Sequence, residues 1–401
     1  MDGAMSSSTT PGIEGTARLE RIVGRARGAR DGARVVVVAG IHGNEPAGLA
    51  AARRVLAGLQ QPGVALRGEV VVVAGNVGAL QRRQRYAVRD LNRGWDDDSV
   101  AALRARELAT LTDEDAEQRQ LLDAIDGAFA GARGPRVLVD LHTSSAPGIP
   151  FLLFGDTLAQ IGFVRDLPVP ALLGLVEQVE GILAEYWTRR GAIAFCVEGG
   201  QHDDEAAVDN LAAAVWTALA RAEVVDDDVD DVVRARALLE GRRAGVPGLL
   251  EVVRRHAITP DDEFTMEPGF LNIAPVRRGR LLARDRRGEI RADDDGAVVL
   301  PLYQKLGSDG FFWARAVTGR RLQLATLLRR LPVDALARRL PGIEADGDHP
   351  HRIVVRDDLL GSGGGRGGVR GALLGRLWPL LGYRRRRPAD DGRTCLERLP
   401  G

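Results

Sequence analysis

His42 and Glu45 stand three residues apart in AGIHGNEPAG, and a second histidine, His142, stands in VLVDLHTSS. Each histidine comes at the end of a short apolar run, Val35 to Ala39 in one case and Val137 to Leu141 in the other. Two imidazoles and one carboxylate form a common catalytic zinc set, with water in the fourth position. The H-x-x-E spacing alone is a weak signal, because such pairs arise by chance. The alternative is a pair of polar turns whose residues merely cap helices.

Glu198 follows AIAFCV and precedes Gly199-Gly200. Beside zinc, a carboxylate so placed can take a proton from water and pass it to a leaving amine. Otherwise it is a surface Glu at a turn. Asp140 lies two residues before His142, so on a strand the two share a face. It is suited to orient an imidazole from behind, and Asp90 is assigned the same supporting role. The segment RYAVRDLNRGW adds Arg85, Arg89, Asn92 and Arg93. A guanidinium fork matches a carboxylate, or polarises a carbonyl. Standing alone, this segment reads as a solvated basic loop.

These residues need a scaffold that brings them to one place. From residue 34 onward, short β-branched runs alternate with helix-like stretches. Strands are expected at Val35–Ala39, Val70–Ala74, Val137–Leu141, Phe151–Phe154 and Ala192–Val197. Helices are expected over Pro46–Leu59, within 100–130, over 171–187 and over Asp203–Arg221. The pattern predicts an α/β fold, with a mostly parallel or mixed sheet flanked by helices. In such sheets the carboxyl ends of the strands face the ligand crevice, where His42, Glu45, His142 and Glu198 can converge.

Four regions follow: an N-terminal lead-in at 1–33, the hydrolase-like domain at 34–244, a smaller C-terminal β domain at 245–318, and a helical, Arg-rich tail at 319–401. The stretch Gly361 to Gly368 (GSGGGRGG) reads as a flexible linker and the tail as partly disordered. Because every motif precedes residue 320, cutting the chain after residue 360 is expected to spare metal binding and hydrolysis.

Lys plus Arg and Asp plus Glu balance at 55 each, which argues against a nucleic-acid partner. The two cysteines, Cys196 and Cys395, lie too far apart in sequence to suggest a disulfide framework, and no Cys-rich zinc site is open to them. No run reaches the length of a membrane span, and no signal peptide is read, so the cytoplasm is the default location.

Taken together, Gly40–Glu45 (GIHGNE), Arg85-Tyr86 with Asp90–Arg93 (DLNR), Asp140–Thr143 (DLHT) and Val197–Gly200 (VEGG) resemble the succinylglutamate desuccinylase/aspartoacylase family, with its zinc carboxypeptidase-like fold. EPGFLNIAPVRRG and LPLYQKLGSDGFF are similar to the C-terminal β domain of bacterial members, so the resemblance spans about residues 34–317. It implies one zinc per chain, held by His42, Glu45 and His142, with Glu198 as general base and acid. Arg85 would polarise the amide carbonyl, and Asn92 and Arg93 would bind a carboxylate of a small-molecule substrate. It leaves oligomeric state open. Two departures put the acyl group and the amino acid in question. Thr188 stands where aspartoacylases proper have an Arg, beside Arg189 and Arg190, and Tyr303 is the nearest counterpart of their C-terminal Tyr. The competing readings are a zinc carboxypeptidase acting on peptides and a non-catalytic metal-binding interaction protein.

Overall fold

The computed structural model describes residues 19–243, 245–303, 308–347, 349–360, 368–389 and 392–400. Eight strands carry the first part of the chain: β1 (Ile22–Arg27), β2 (Arg30–Ala39), β3 (Arg67–Ala74), β4 (Arg136–Ser144), β5 (Phe151–Phe154), β6 (Ala171–Leu173), β7 (Ile193–Gln201) and β8 (Leu249–Ala257). They join one eleven-stranded sheet in the order β1-β3-β2-β4-β7-β5-β6-β8, continued by Asp309–Ala316, Gly296–Val299 and Ala274–Val276. The centre is parallel, from β3 through β2 and β4 to β7, and antiparallel pairs join β1 to β3, β5 to β7 and β8 to Asp309–Ala316. The sheet is therefore mixed and flanked by helices, as the strand–helix alternation predicts.

The valine run explains why this sheet is buried on both faces. Val35 and Val37 enter the core under Ala47–Leu59 and Ala206–Arg221, while Val36 and Val38 enter the core under Asp113–Phe129 and Leu183–Arg189. Period-two side chains of one strand thus feed both layers, and a strand with no polar face has to lie inside.

Several boundaries differ from those the sequence suggested. β4 runs to Ser144 and β7 to Gln201, so His142 and Glu198 sit within strands rather than in turns after them. The expected helix over 171–187 is instead strand β6, a short 3-10 turn at Val176–Gln178, and a helix only at Leu183–Arg189. Gly174 and Gly181 have φ of +86° and +71°, a conformation that breaks a helix, and β6 is held on both sides by parallel pairing with β5 and β8. The lead-in 1–33 contributes β1 and the start of β2, and its residues 1–18 lie outside the described residues. Residues 245–318 divide between two sheets. Four of their strands extend the large one, because β8 pairs with β6 on one edge and with Asp309–Ala316 on the other. Only Thr265–Met266, Leu281–Asp285 and Gly288–Arg291 make a smaller three-stranded sheet.

The tail differs most. Strands Ile343–Ala345, Arg352–Arg356, Arg385–Ala389 and Arg393–Glu397 form a four-stranded antiparallel sheet, and Trp378, Tyr383, Ile353, Val355 and Leu396 give it a core. Of the expected Gly-rich linker, 361–367 lie outside the described residues. The basic run of the tail, expected to be partly disordered, is the anchor of this module. Arg385 reaches Glu185 with both terminal nitrogens, at 2.9 and 2.6 Å, and donates from Nε to the Glu177 carbonyl. Arg384 donates to Glu251 at 2.6 Å, and Arg329 grips Asp156 with two bonds of 2.6 and 2.8 Å. Against the pull of burial, Arg384 and Arg329 hold the Asp156 carboxyl at about 2. Among the described residues no helix is long and apolar enough to cross a membrane.

This reverses the expectation about truncation. Removing 361–401 strips Arg384 and Arg385 from buried carboxylates, and breaking one buried pair costs about 3–5 kcal/mol. That is a large share of a whole domain's stability, about 5–15 kcal/mol. Truncation after Leu360 should therefore abolish soluble expression or lower the melting temperature by roughly 10 °C or more. An unchanged melting temperature would show that the module docks without supporting the rest.

Candidate active site

The turn after β2 is shaped by its glycines. A Cβ on Gly43 would sit 2.1 Å from the Ala79 carbonyl carbon and 2.5 Å from the Gln84 oxygen, so only glycine lets the turn pass under helix Val77–Arg82. Gly43 also donates its N–H to Arg85 O, tying the His42 turn to the Arg85 loop. On the neighbouring strands, His142 of β4 pairs in register with Glu198 of β7, which places their side chains side by side on one face.

The loop carrying Arg85, Asp90, Asn92 and Arg93 is held by one buried acid, Glu114 of helix Asp113–Phe129. Glu114 accepts from the backbone N–H groups of Ala87, Val88 and Arg89 at 2.6, 2.9 and 3.2 Å. These bonds outweigh burial and keep its carboxyl below the usual range. Asp90 caps Asn92 N–H at 2.9 Å, and Arg85 Nη2 donates to Asp90 Oδ2 at 3.0 Å. Asn92 Oδ1 accepts from Leu183 N–H at 2.8 Å, so its amide is fixed with the NH2 group left to donate.

The two imidazoles are oriented alike. His42 Nε2 lies 2.9 Å from Asp90 Oδ1, and His142 Nε2 lies 2.9 Å from Asp140 Oδ2. A carboxylate can only accept, so each Nε2 donates its proton there, and Nδ1 is the nitrogen each ring would offer to a metal. Both Nδ1 atoms turn toward Glu45, at 2.9 Å from Oε1 and 3.3 Å from Oε2. The donor atoms of His42, Glu45 and His142 lie within 4.8 Å of one another, and all three residues are buried. Three buried donors, each backed by its own partner, are what a metal ion requires. The electrostatics agree. Burial by itself would lower the His142 pKa, yet the Asp140 carboxylate raises it well above the usual value. Burial likewise opposes Glu45, but His42 and His142 hold its carboxyl well below the usual range. This centre calls for positive charge.

Asp140, His142 and Cys196 form a second close group. It suits a metal less well, because burial pushes the Cys196 thiol up to about 11 and Asp140 is already bonded to His142 Nε2.

Beside the triad, Glu198 is buried and its Oε2 has no hydrogen-bond partner among the described residues. Burial, together with the negative charge of Glu45, raises its pKa to about 7 against the opposing pull of His142. These groups open onto a cleft of about 430 Å³, also lined by Arg85, Asp90, Asn92 and Arg93. Asp140 stands behind His142 and does not line the cleft.

Thr188, Arg189, Arg190 and Tyr303 are not among the lining residues. Thr188 accepts from Gln160 inside helix packing, Arg189 pairs with Glu185 and Glu397, and Arg190 pairs with Asp97. Tyr303 accepts from Phe270 N–H and donates to the Glu267 carbonyl. The sequence reading gave no role to His202, which lines the cleft with Nδ1 2.8 Å from Thr143 Oγ1 and a buried, unpartnered Nε2. Its signal was its place four residues after Glu198, beyond two glycines.

Residues 31–220 match the family model described as succinylglutamate desuccinylase/aspartoacylase catalytic domain. The chain is 27% identical over 265 residues to the succinylglutamate desuccinylase of Burkholderia thailandensis, covering 63% of this chain and 70% of that protein. It is 26% identical over 273 residues to the succinylglutamate desuccinylase of Chromobacterium violaceum, covering 61% and 77%. The solved structure of the latter matches the fold with a TM-score of 0.52 at 18% identity, over 72% of this chain and 86% of that one. The product-bound ectoine utilization protein EutE (DoeB) of Ruegeria pomeroyi matches with a TM-score of 0.54 at 18% identity, over 73% and 88%.

Proposed function

The chain belongs, through residues 31–220, to the succinylglutamate desuccinylase/aspartoacylase family and is a metal-dependent amide hydrolase of that type, and on this premise we propose that it cleaves a small N-acyl amino acid bearing a free carboxylate. His42, Glu45 and His142 hold its one zinc ion. The observation that carries this reading is the buried triad of donor atoms beside the unpartnered Glu198 oxygen.

Zinc held there would supply Lewis acidity to the amide carbonyl and to water at neutral pH. Glu198 Oε2 accepts the proton released by the attacking water. It returns that proton to the amide nitrogen as the C–N bond breaks, giving a carboxylate and an amine. Arg85, steadied by Asp90, turns its guanidinium to the carbonyl oxygen as negative charge develops there. Asn92 donates from its fixed NH2 group and Arg93 from its guanidinium to the substrate carboxylate. Asp90 and Asp140 keep the two imidazoles in the tautomer that leaves Nδ1 free. Leu300, Pro301 and Leu302 with Ser308 and Asp309 wall one side of the cleft, which favours a small molecule over a polypeptide.

The test compares free acids with their amidated counterparts on zinc-loaded protein. Removing the carboxylate charge should lower kcat/KM by roughly 10²-fold, and Arg93→Ala should cost the free acids about as much while changing the amides little. Equal turnover of acids and amides would remove Asn92 and Arg93 from substrate binding.

A further inference from the structure

The cleft has two kinds of wall. Arg85, Asn92 and Arg93 form a polar rim. Beyond them the surface is apolar, made by Leu153 of β5, Phe312 of Asp309–Ala316, and Leu175, Val179 and Ile182. The last three belong to the irregular segment between β6 and helix Leu183–Arg189. That segment is stitched to the rim: Leu183 N–H donates to Asn92 Oδ1 at 2.8 Å, and Trp95 N–H donates to the Gly181 carbonyl at 3.1 Å. Whatever part of the substrate presents its carboxylate to Asn92 and Arg93 therefore also meets the apolar wall.

The charges point the same way. Among the described residues two arginines line the cleft. Arg85 is engaged by Asp90 at 3.0 Å and Glu45 at 3.7 Å, which leaves Arg93 for a substrate anion. Asp309 also lines the cleft and is already paired with Arg255, so that pair offers no free cation to a second carboxylate. Among the described residues a side-chain carboxylate on the amino acid would find no partner to offset its desolvation, whereas a hydrocarbon side chain would bury favourably.

Resting on the reading that this cleft hydrolyses N-acyl amino acids, we infer that the amino-acid half of the substrate carries an uncharged, apolar side chain seated against Leu153, Val179, Ile182 and Phe312. In this the chain departs from what the names of its desuccinylase relatives state. The wall discriminates by desolvation: it contributes to binding of any hydrocarbon group of suitable size and penalises a charged one.

Full-length, zinc-loaded protein should be assayed with N-acetyl and N-succinyl derivatives of leucine, phenylalanine, aspartate and glutamate. Within each acyl series, kcat/KM for the leucine or phenylalanine compound should exceed that for the acidic ones by about 100-fold, the scale expected when a buried charge lacks a partner. Comparable or faster cleavage of the aspartate or glutamate compounds overturns this inference and leaves the hydrolase reading intact. Cleavage of none of the eight overturns the hydrolase reading, and this inference with it. Val179→Arg should narrow the preference at least tenfold, and an unchanged preference in the folded variant counts against the seat. Since an added arginine can disturb the wall, calorimetry on the wild-type chain gives a second reading. Free leucine should bind at least tenfold more tightly than free glutamate, and equal or tighter glutamate binding overturns the inference.

Discussion

Glu198→Gln should lower kcat by roughly 10²–10⁴-fold, the usual worth of a positioned acid/base, while leaving fold and zinc content unchanged. The substitution keeps the shape of the side chain and removes its proton affinity. Glu198 Oε2 is buried without a hydrogen-bond partner among the described residues, so the amide is accommodated with little rearrangement. The direction of the pH dependence follows from the same environment. Burial raises the Glu198 pKa to about 7, and only the ionised form accepts a proton, so activity is lost as pH falls through that value. A cation on the neighbouring ligands favours the carboxylate, so the acid limb of kcat/KM should have its midpoint at or below 7. Glu198→Gln should flatten that limb. A variant keeping a tenth or more of wild-type turnover would place the base elsewhere.

Removing either histidine of the triad should have a comparably large effect through a different route. His42→Ala and His142→Ala should each cut zinc from about one ion per chain to below roughly a tenth and reduce activity by about 10³-fold, because three protein ligands leave no redundancy. The two differ in their effect on the fold. Without His142, the fully buried Asp140 keeps only a long contact with the Cys196 thiol, so this variant should also be destabilised by about 3 kcal/mol. His42→Ala leaves the partly exposed Asp90 still paired with Arg85, and its melting temperature should shift less. Metal analysis with thermal melts separates loss of ligand from loss of fold. Full zinc occupancy in both variants would sink the assignment.

What the sequence could and could not convey follows from how each part is built. His42, Glu45, His142 and Glu198 sit on or beside apolar strands with distinctive neighbours, and local pattern is enough to place them at the carboxyl ends of strands. The Arg85–Arg93 loop was legible as a charged cluster, but its shape depends on Glu114, a residue of a helix that begins after the loop ends. The apolar wall was not legible. Leu153, Phe312 and the 175–182 segment come from separate stretches, each of which reads as ordinary core until the sheet order brings them together. The tail was misread for a similar reason: RRRR reads as part of a partly disordered tail unless the buried acids that meet Arg384 and Arg385, which lie more than a hundred residues earlier, are known.

That separation also bears on how the molecule is made. His42, Glu45, His142 and Glu198 are all present in the nascent chain once Glu198 has been added. Glu185, lying before it, has Arg189 close by in sequence but gains Arg385 only near the end of synthesis. At about 5–20 residues per second, Glu185 waits roughly ten to forty seconds for Arg385, whereas β8 waits roughly three to twelve seconds for Asp309–Ala316. Until Asp309–Ala316 pairs with β8, the parallel half of the sheet ends in an open strand. Between Ala257 and Ala316 the growing chain therefore carries an exposed edge that another chain can pair with.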